Sequence, residues 1–147
     1  MALINRKARH QYHILETMEA GIMLLGPEVK SLRAGQGNLT EAHCIVRNET
    51  VMLIGSHINP YPPAAANNHA DPARTRKLLL HKHQITRLIG KLKEKGLTLV
   101  PLKLYFNERG RAKLEIGLAR GKKMHDKRHA LKERDVQRQL QRDYKTG

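Results

Sequence analysis

Regular alternation of apolar and polar residues is clearest between residues 100 and 118. The apolar positions are Val100, Leu102, Leu104 and Phe106 in the first half and Ala112, Leu114, Ile116 and Leu118 in the second. Between them, residues 107–110 have the composition of a turn. A period of two on both sides of a turn predicts an antiparallel β-hairpin with one buried face.

Two other stretches carry the signals of short α-helices. The first, residues 27–34, begins with a proline and is followed by Gly35, a natural C-terminal stop. It places Val29 and Leu32 on one side and Lys30 and Arg33 on the other. The second is ended by Gly96 and has an apolar stripe at helical spacing, formed by Ile85, Leu88, Ile89 and Leu92.

The remaining segments predict further strands and their connections. Residues 1–8 are interpreted as a flexible basic arm, and residues 59–73, with four prolines, as an exposed loop. β-like runs are expected at residues 12–15 and 21–25 around a turn at 17–21, and at residues 43–47 and 51–58 around a turn at 47–50. Six or so strands with two or three short helices predict a mainly β fold, a small antiparallel barrel similar to an OB-fold.

The charge balance indicates a polyanionic partner, either a nucleic acid or an anionic membrane. Lys and Arg number 28 against 13 Asp and Glu, giving a formal net charge of +15, which costs self-repulsion in a compact monomer. No apolar stretch is long enough to span a membrane, and the N-terminus lacks the apolar region of a secretory signal. The single cysteine, Cys44, fits a reducing compartment. We therefore expect a cytoplasmic protein that binds nucleic acid.

The scarcity of aromatic residues favours one kind of nucleic acid. The chain has four Tyr, one Phe and no Trp. Proteins that bind single-stranded RNA commonly stack its bases on exposed aromatic rings. Backbone contacts to a structured RNA therefore fit better. The sequence also lacks helix-turn-helix, zinc-binding and basic-zipper signatures, which lowers the case for DNA.

The C-terminal segment is the most basic part of the chain. Residues 120–147 hold ten Lys and Arg against four Asp and Glu, with few large apolar residues. Such a segment buries too little to offset its ordering entropy, so we expect it to be disordered when alone. It has neither Gly nor Pro between Met124 and Tyr144 and is predicted to become helical on RNA. A solubilising extension is the main alternative, and a membrane-surface helix is less favoured because its apolar face is thin.

Basic residues also cluster at three places before the tail: residues 6–10, 30–33 and 74–77. A fold that gathered the three clusters would form one surface for several phosphates. The alternative is that each is a separate solvated face. Charge alone does not decide between them.

Residues with catalytic potential do not form a convincing site. No phosphate-cradling or dinucleotide-binding glycine motif is present. His125 and His129 are four residues apart, but ordinary surface histidines are favoured over a metal site. Cys44 lies in an apolar run and is expected to be a buried, inert thiol. Glu19 is placed in a turn and Glu28 at a helix start, so they do not suggest a catalytic pair. We expect no enzymatic activity, metal or cofactor.

Several strings of the sequence, taken in order, resemble the SmpB family. They are NRKARH at residues 5–10, EAG at 19–21, EVKSLRAG at 28–35, DPxRTRKLLL at 71–80 and GKKxHDKR at 121–128. The resemblance implies an OB-like barrel, residues 1–121, that grips the elbow of the tRNA-like domain of transfer-messenger RNA. It also implies a basic tail, residues 122–147, that becomes helical on the ribosome.

The same resemblance implies which residues meet RNA. Asn5 is expected to bond a base or the backbone. Glu19 is expected to bond a base or a ribose hydroxyl, or to orient a neighbouring basic side chain. Leu79 is expected either to contact RNA or to belong to the core. With the basic clusters, the expected RNA-binding residues are Asn5, Arg6, Lys7, Arg9, His10, Glu19, Lys30, Arg33, Arg74, Arg76, Lys77 and Leu79.

For the tail, the resemblance implies entry into the empty mRNA channel of a stalled ribosome, near the decoding centre and small-subunit ribosomal RNA. Elongation factor Tu would be an indirect partner, through aminoacylated transfer-messenger RNA. A structural ribosomal protein or general RNA chaperone is the runner-up, and a nuclease would need metal-dependent cleavage. The expected ribosome-contacting residues are Lys122, Lys123, His125, Asp126, Lys127, Arg128, Arg134, Arg138 and Arg142.

Overall fold

A computed structural model describes residues 2–60, 71–94 and 96–121, which form nine strands and three helices. The helices are α1 (Arg6–Gln11), α2 (Gly26–Arg33) and α3 (Lys82–Leu92). The strands are β1 (Ala2–Ile4), β2 (Tyr12–Ile22), β3 (Gly37–Asn38), β4 (His43–Arg47), β5 (Thr50–Ile54), β6 (His57–Ile58), β7 (Arg76–Leu79), β8 (Leu97–Phe106) and β9 (Ala112–Gly121).

Six antiparallel strands close into a ring. Its order is β8-β4-β5-β7-β2-β9, and β9 pairs back onto β8. The pairings β2–β9 and β8–β9 are long, whereas β4 meets β8 at a single residue pair, Cys44 and Leu99. The predicted mainly β, small antiparallel barrel is therefore confirmed. Its interior is filled by buried aliphatic side chains, of which Leu32, Val51, Leu53, Leu88, Leu114 and Ile116 have no exposed surface.

The first 22 residues are more ordered than predicted. The expected flexible arm is wrong for residues 2–8, because β1 pairs with β8 and α1 follows directly. The expected turn at residues 17–21 is also wrong, since β2 runs unbroken from Tyr12 to Ile22. Strand β9 pairs with almost the whole of β2. The backbone N–H and C=O groups of residues 17–21 therefore bond within the sheet rather than within a turn. A bulge between Ile14 and Glu16 adjusts the register.

The hairpin of β8 and β9 is confirmed, but its single buried face is wrong. Leu104 belongs to the main core, whereas Val100 and Leu102 pack in a second cluster with Ala8 of α1. A register shift between Pro101 and Lys103 changes which side of β8 faces the barrel. Because α1 covers the outer side, this stretch of β8 is buried on both faces.

The two predicted helices are confirmed. The helix α2 lies within one residue of the predicted bounds, and the following Gly35 has a φ of +76°. Leu88 of α3 is fully buried, with Ile85 and Leu92 packed against the same core. No helix in the described ranges is long and apolar enough to cross a membrane.

The predicted strand at residues 51–58 is wrong as one element. Gly55, with a φ of +81°, separates β5 from β6. A Cβ at this position would lie 2.8 Å from the Glu41 carbonyl oxygen, so the bend depends on glycine. The turn before β5 is confirmed, with positive φ at Asn48 and Glu49. Of the predicted proline loop, residues 61–70 lie outside the described residues, as do the predicted disorder and helix of residues 122–147.

Candidate nucleic-acid interface

Asn5 lies inside the protein rather than on its surface. Its side-chain amide donates to the carbonyl oxygens of Pro101 at 2.9 Å and Leu39 at 3.3 Å. Its Oδ1 accepts from the Ala8 backbone N–H at 3.2 Å, which caps α1. Asn5 is only 3% exposed and its donors are engaged, so little of its side chain is available to RNA. The expected direct contact is corrected to a structural role.

Replacing Asn5 by alanine is expected to lower the free energy of unfolding by roughly 2–4 kcal/mol, since a helix cap and two buried hydrogen bonds are lost. Chemical denaturation measures the change. Asn38→Ala, which loses one exposed local bond to the Thr40 N–H, is the control and should cost less than about 1 kcal/mol. Unchanged stability with lost RNA binding would restore the direct-contact interpretation.

The basic residues of α1 lie at the surface. Arg6, Lys7, Arg9 and His10 are all exposed. Lys7 pairs with Glu41 at 3.2 Å and Arg9 with Glu115 at 3.7 Å. Exposed ion pairs of this kind contribute only about 0–1 kcal/mol, so a phosphate can compete for either cation. RNA binding by these four residues stays a prediction.

Arg76 is the second expected contact that the structure places inside. Its side chain has no exposed surface, and Nη2 lies 2.7 Å from Oε2 of Glu28. Its guanidinium also donates to Ser56 Oγ at 2.9 Å and to the Pro72 carbonyl oxygen at 3.1 Å. The expected phosphate contact of Arg76 is therefore corrected to a buried ion pair.

Glu28 is the common acceptor for this part of the fold. Its carboxylate binds the guanidinium groups of Arg74 and Arg76 and accepts from the Leu25 backbone N–H at 2.9 Å. Burial alone would raise the pKa of Glu28, but these hydrogen bonds outweigh burial and hold the pKa below its usual value. The network ties the start of α2 to β7 and to Ser56.

Glu19 and Leu79 come together on the outside of the barrel. Glu19 lies in β2, not in the predicted turn, and its carboxylate accepts a hydrogen bond from the Tyr105 hydroxyl. Burial, followed by this bond, raises the pKa of Tyr105 to about 12. Gly21, two residues beyond Glu19, is the register partner of Leu79, whose side chain is 49% exposed. Exposure of Leu79 excludes the core alternative for this residue.

A groove of about 330 Å³ begins beside Leu79 and Gly21 and extends to the turn between β8 and β9. Its lining includes Arg111 and Lys113, which sequence patterns did not single out because both belong to a predicted strand or turn. Arg33 borders it by donating to the Gly110 carbonyl oxygen at 3.0 Å.

The same Arg33 guanidinium lies 4.3 Å from the Phe106 ring centroid, a cation–π contact. Lys30 of α2 and Lys77 of β7 are also exposed. The β9 residue Glu115, bound by Arg9, is the register partner of Glu19. Exposed members of all three clusters therefore adjoin one outer face.

Cysteine and histidine side chains form no further reactive site in the described residues. Cys44 is buried, as predicted, and burial raises the pKa of its thiol to about 12. The rings of His81 and His83 stack at 5.6 Å. Within the part of the chain that the structure describes, no three His, Cys, Asp or Glu residues form a metal-binding group. The pair His125 and His129 lies outside it, as do all the expected ribosome-contacting residues.

Known proteins match this chain along nearly its whole length. A family model described as SmpB protein matches residues 2–146. An SsrA-binding protein of Desulforamulus reducens is 55% identical over 138 residues, which cover 94% of this chain and 85% of that protein. One of Allorhizobium ampelinum is 56% identical over 143 residues, covering 97% and 90%.

A similar solved structure is described as "tmRNA-SmpB: a journey to the center of the bacterial ribosome". It is 56% identical to this chain, has a TM-score of 0.69, and the match covers 82% of this chain and 84% of that one. The comparisons by sequence and by fold therefore identify the same group of relatives.

Proposed function

The chain belongs to the SmpB protein family, and on that basis we propose that it binds the tRNA-like domain of transfer-messenger RNA and delivers this RNA to stalled ribosomes for trans-translation. The carrying observation is the family match over residues 2–146. The relatives named SsrA-binding proteins, and the solved structure that names tmRNA and SmpB with the bacterial ribosome, support the same partners.

The barrel is the proposed RNA-binding part, residues 1–121. It presents the exposed cations of α1, α2 and β7 around the Glu19 carboxylate and the Leu79 side chain. Phosphates meet the cations, while Glu19 accepts from a base or ribose hydroxyl. Leu79 makes apolar contact beside it. Asn5 and Arg76 support the scaffold from inside.

The tail, residues 122–147, is the proposed ribosome-binding part. Its cationic residues occupy the empty mRNA channel near the decoding centre, in contact with small-subunit ribosomal RNA. Elongation factor Tu takes part through the aminoacylated RNA. The protein acts as a binding module rather than an enzyme, at ribosomes in the cytoplasm.

Selective binding tests the proposal against a general RNA chaperone. We expect the protein to bind the tRNA-like domain far more tightly than duplex RNA of equal length, as specific nucleic-acid proteins do, by roughly 10³-fold. Gel-shift titrations at one moderate salt concentration measure the ratio. Equal affinity for the two RNAs would favour the chaperone, and cleavage that stops with a chelator would favour a nuclease.

A leucine pair locates the contact in the same titrations. Leu79→Ala is expected to weaken binding without changing stability. Leu15→Ala is the matched control, because Leu15 is 52% exposed, a fraction similar to that of Leu79. Leu15 lies six residues before Gly21 on β2, a distance of roughly 20 Å along the strand. Equal losses for Leu15→Ala and Leu79→Ala would contradict the proposed position of the RNA.

A further inference from the structure

Two arginines share one carboxylate at the junction of α2 and β7. Arg74 donates to Glu28 through Nε at 2.8 Å and Nη2 at 2.6 Å. Arg76 donates to the same carboxylate through Nε at 3.1 Å and Nη2 at 2.7 Å. One negative charge therefore faces two positive charges, which repel each other.

The two arginines differ in how firmly they are held. Arg76 is fully buried and has further acceptors on Ser56, Pro72 and Arg74. The Arg74 side chain is 29% exposed, and outside Glu28 it donates to the Thr75 carbonyl oxygen at 3.3 Å. Loss of Arg74 from Glu28 leaves the carboxylate paired, whereas loss of Arg76 leaves four acceptors inside the protein without their donor.

We propose that Arg74 is an exchangeable phosphate-binding residue: its guanidinium leaves Glu28 for a phosphodiester when RNA binds, while Arg76 stays on Glu28. This inference rests on the proposed function, since it needs a polyanionic RNA at this face. A phosphate replaces the carboxylate one for one, because both accept two parallel N–H bonds from a guanidinium. The exchange also separates the two guanidinium groups, and it moves only the side chain of Arg74.

The salt dependence of RNA affinity tests the exchange in the full-length protein. Arg74→Ala is expected to reduce the slope of log affinity against log salt by about 0.7–0.9, the contribution of one phosphate contact. The control is Arg87→Ala, because Arg87 makes a similar bidentate pair with Glu16 through Nη2 at 2.7 Å but lies on α3. Its slope should equal that of the wild type.

An unchanged slope for Arg74→Ala would overturn the proposal. Equal reductions for both variants would overturn it too, because they would reflect net charge rather than a contact. Nitrogen NMR of arginine side chains gives a second readout that does not depend on a variant's folding. On addition of RNA, the Arg74 Nε signal should shift more than that of Arg76, which keeps its bond to Glu28. A stationary Arg74 signal contradicts exchange.

The proposed function can fail separately. If the wild type binds the tRNA-like domain and duplex RNA equally, selective recognition is wrong. The salt slopes of the wild type and Arg74→Ala would still show whether Arg74 binds a phosphate, because both RNAs carry phosphates.

Discussion

Replacing Arg76 by methionine is expected to lower the free energy of unfolding by about 3–5 kcal/mol, the range for removing one partner of a buried ion pair. Methionine fills part of the same space but donates no hydrogen bond. Ser56 Oγ and the carbonyl oxygens of Ser56, Pro72 and Arg74 would lose the guanidinium that they share. Urea denaturation followed by circular dichroism measures the change.

The neighbouring residue provides the control for this prediction. Lys77 follows Arg76 on β7 and carries the same charge, but its side chain is exposed. Lys77→Met should change stability by less than about 0.5 kcal/mol. Arg76→Lys should fall between the two, because an ammonium group lacks the planar fork that reaches several acceptors. Similar losses for Arg76→Met and Lys77→Met would show that the burial of Arg76 contributes little.

Arg76 also shows where cluster counting misleads. A run of basic residues predicts a phosphate-binding surface, yet a strand turns alternate side chains to opposite faces. On β7 the buried residues are Arg76 and Leu78, and the exposed ones are Lys77 and Leu79. Arg76 and Leu78 are two residues apart, so the two-residue period of a strand places them on the same face. Assigning Leu78 to the core therefore predicts that Arg76 is buried too. Its partner, Glu28, is 48 residues away, and no pattern in the sequence around Arg76 indicates this pairing.

Elements with a local signal were predictable, and those that depend on distant partners were not. The hairpin of β8 and β9 and the helix α3 each carry their pattern within one short segment. Strand β2 has a period of two that is interrupted at Leu15 and Glu16. Its continuity past that point depends on pairing with β9, about a hundred residues later in sequence. Among the site residues, exposure of the cations of α1 followed from charge, whereas the burial of Arg76 did not. The burial of Asn5 did not either, since its acceptors are the distant carbonyl groups of Leu39 and Pro101.

A chain that ends at Gly121 is expected to keep RNA binding and to lose peptide tagging on stalled ribosomes. Strand β9 ends at Gly121, so the truncation retains every strand and helix of the barrel. Affinity for the tRNA-like domain should fall by less than about 1.4 kcal/mol, or tenfold in Kd, because the exposed cations of α1, α2 and β7 remain. Tagging during translation of a message without a stop codon, and titration of the isolated RNA, measure the two effects.

A full-length chain with residues 122–147 in scrambled order separates the specific role of the tail from its charge. The scrambled tail has the same composition and net charge, but it no longer places Arg134, Arg138 and Arg142 at intervals of four. If the tail only increases solubility or general attraction to RNA, the scrambled chain will tag as well as the wild type. We expect it to resemble the truncated chain instead, because a helix that lies along ribosomal RNA needs its cations on one face. Loss of affinity for the tRNA-like domain on truncation would contradict the assignment of RNA binding to the barrel.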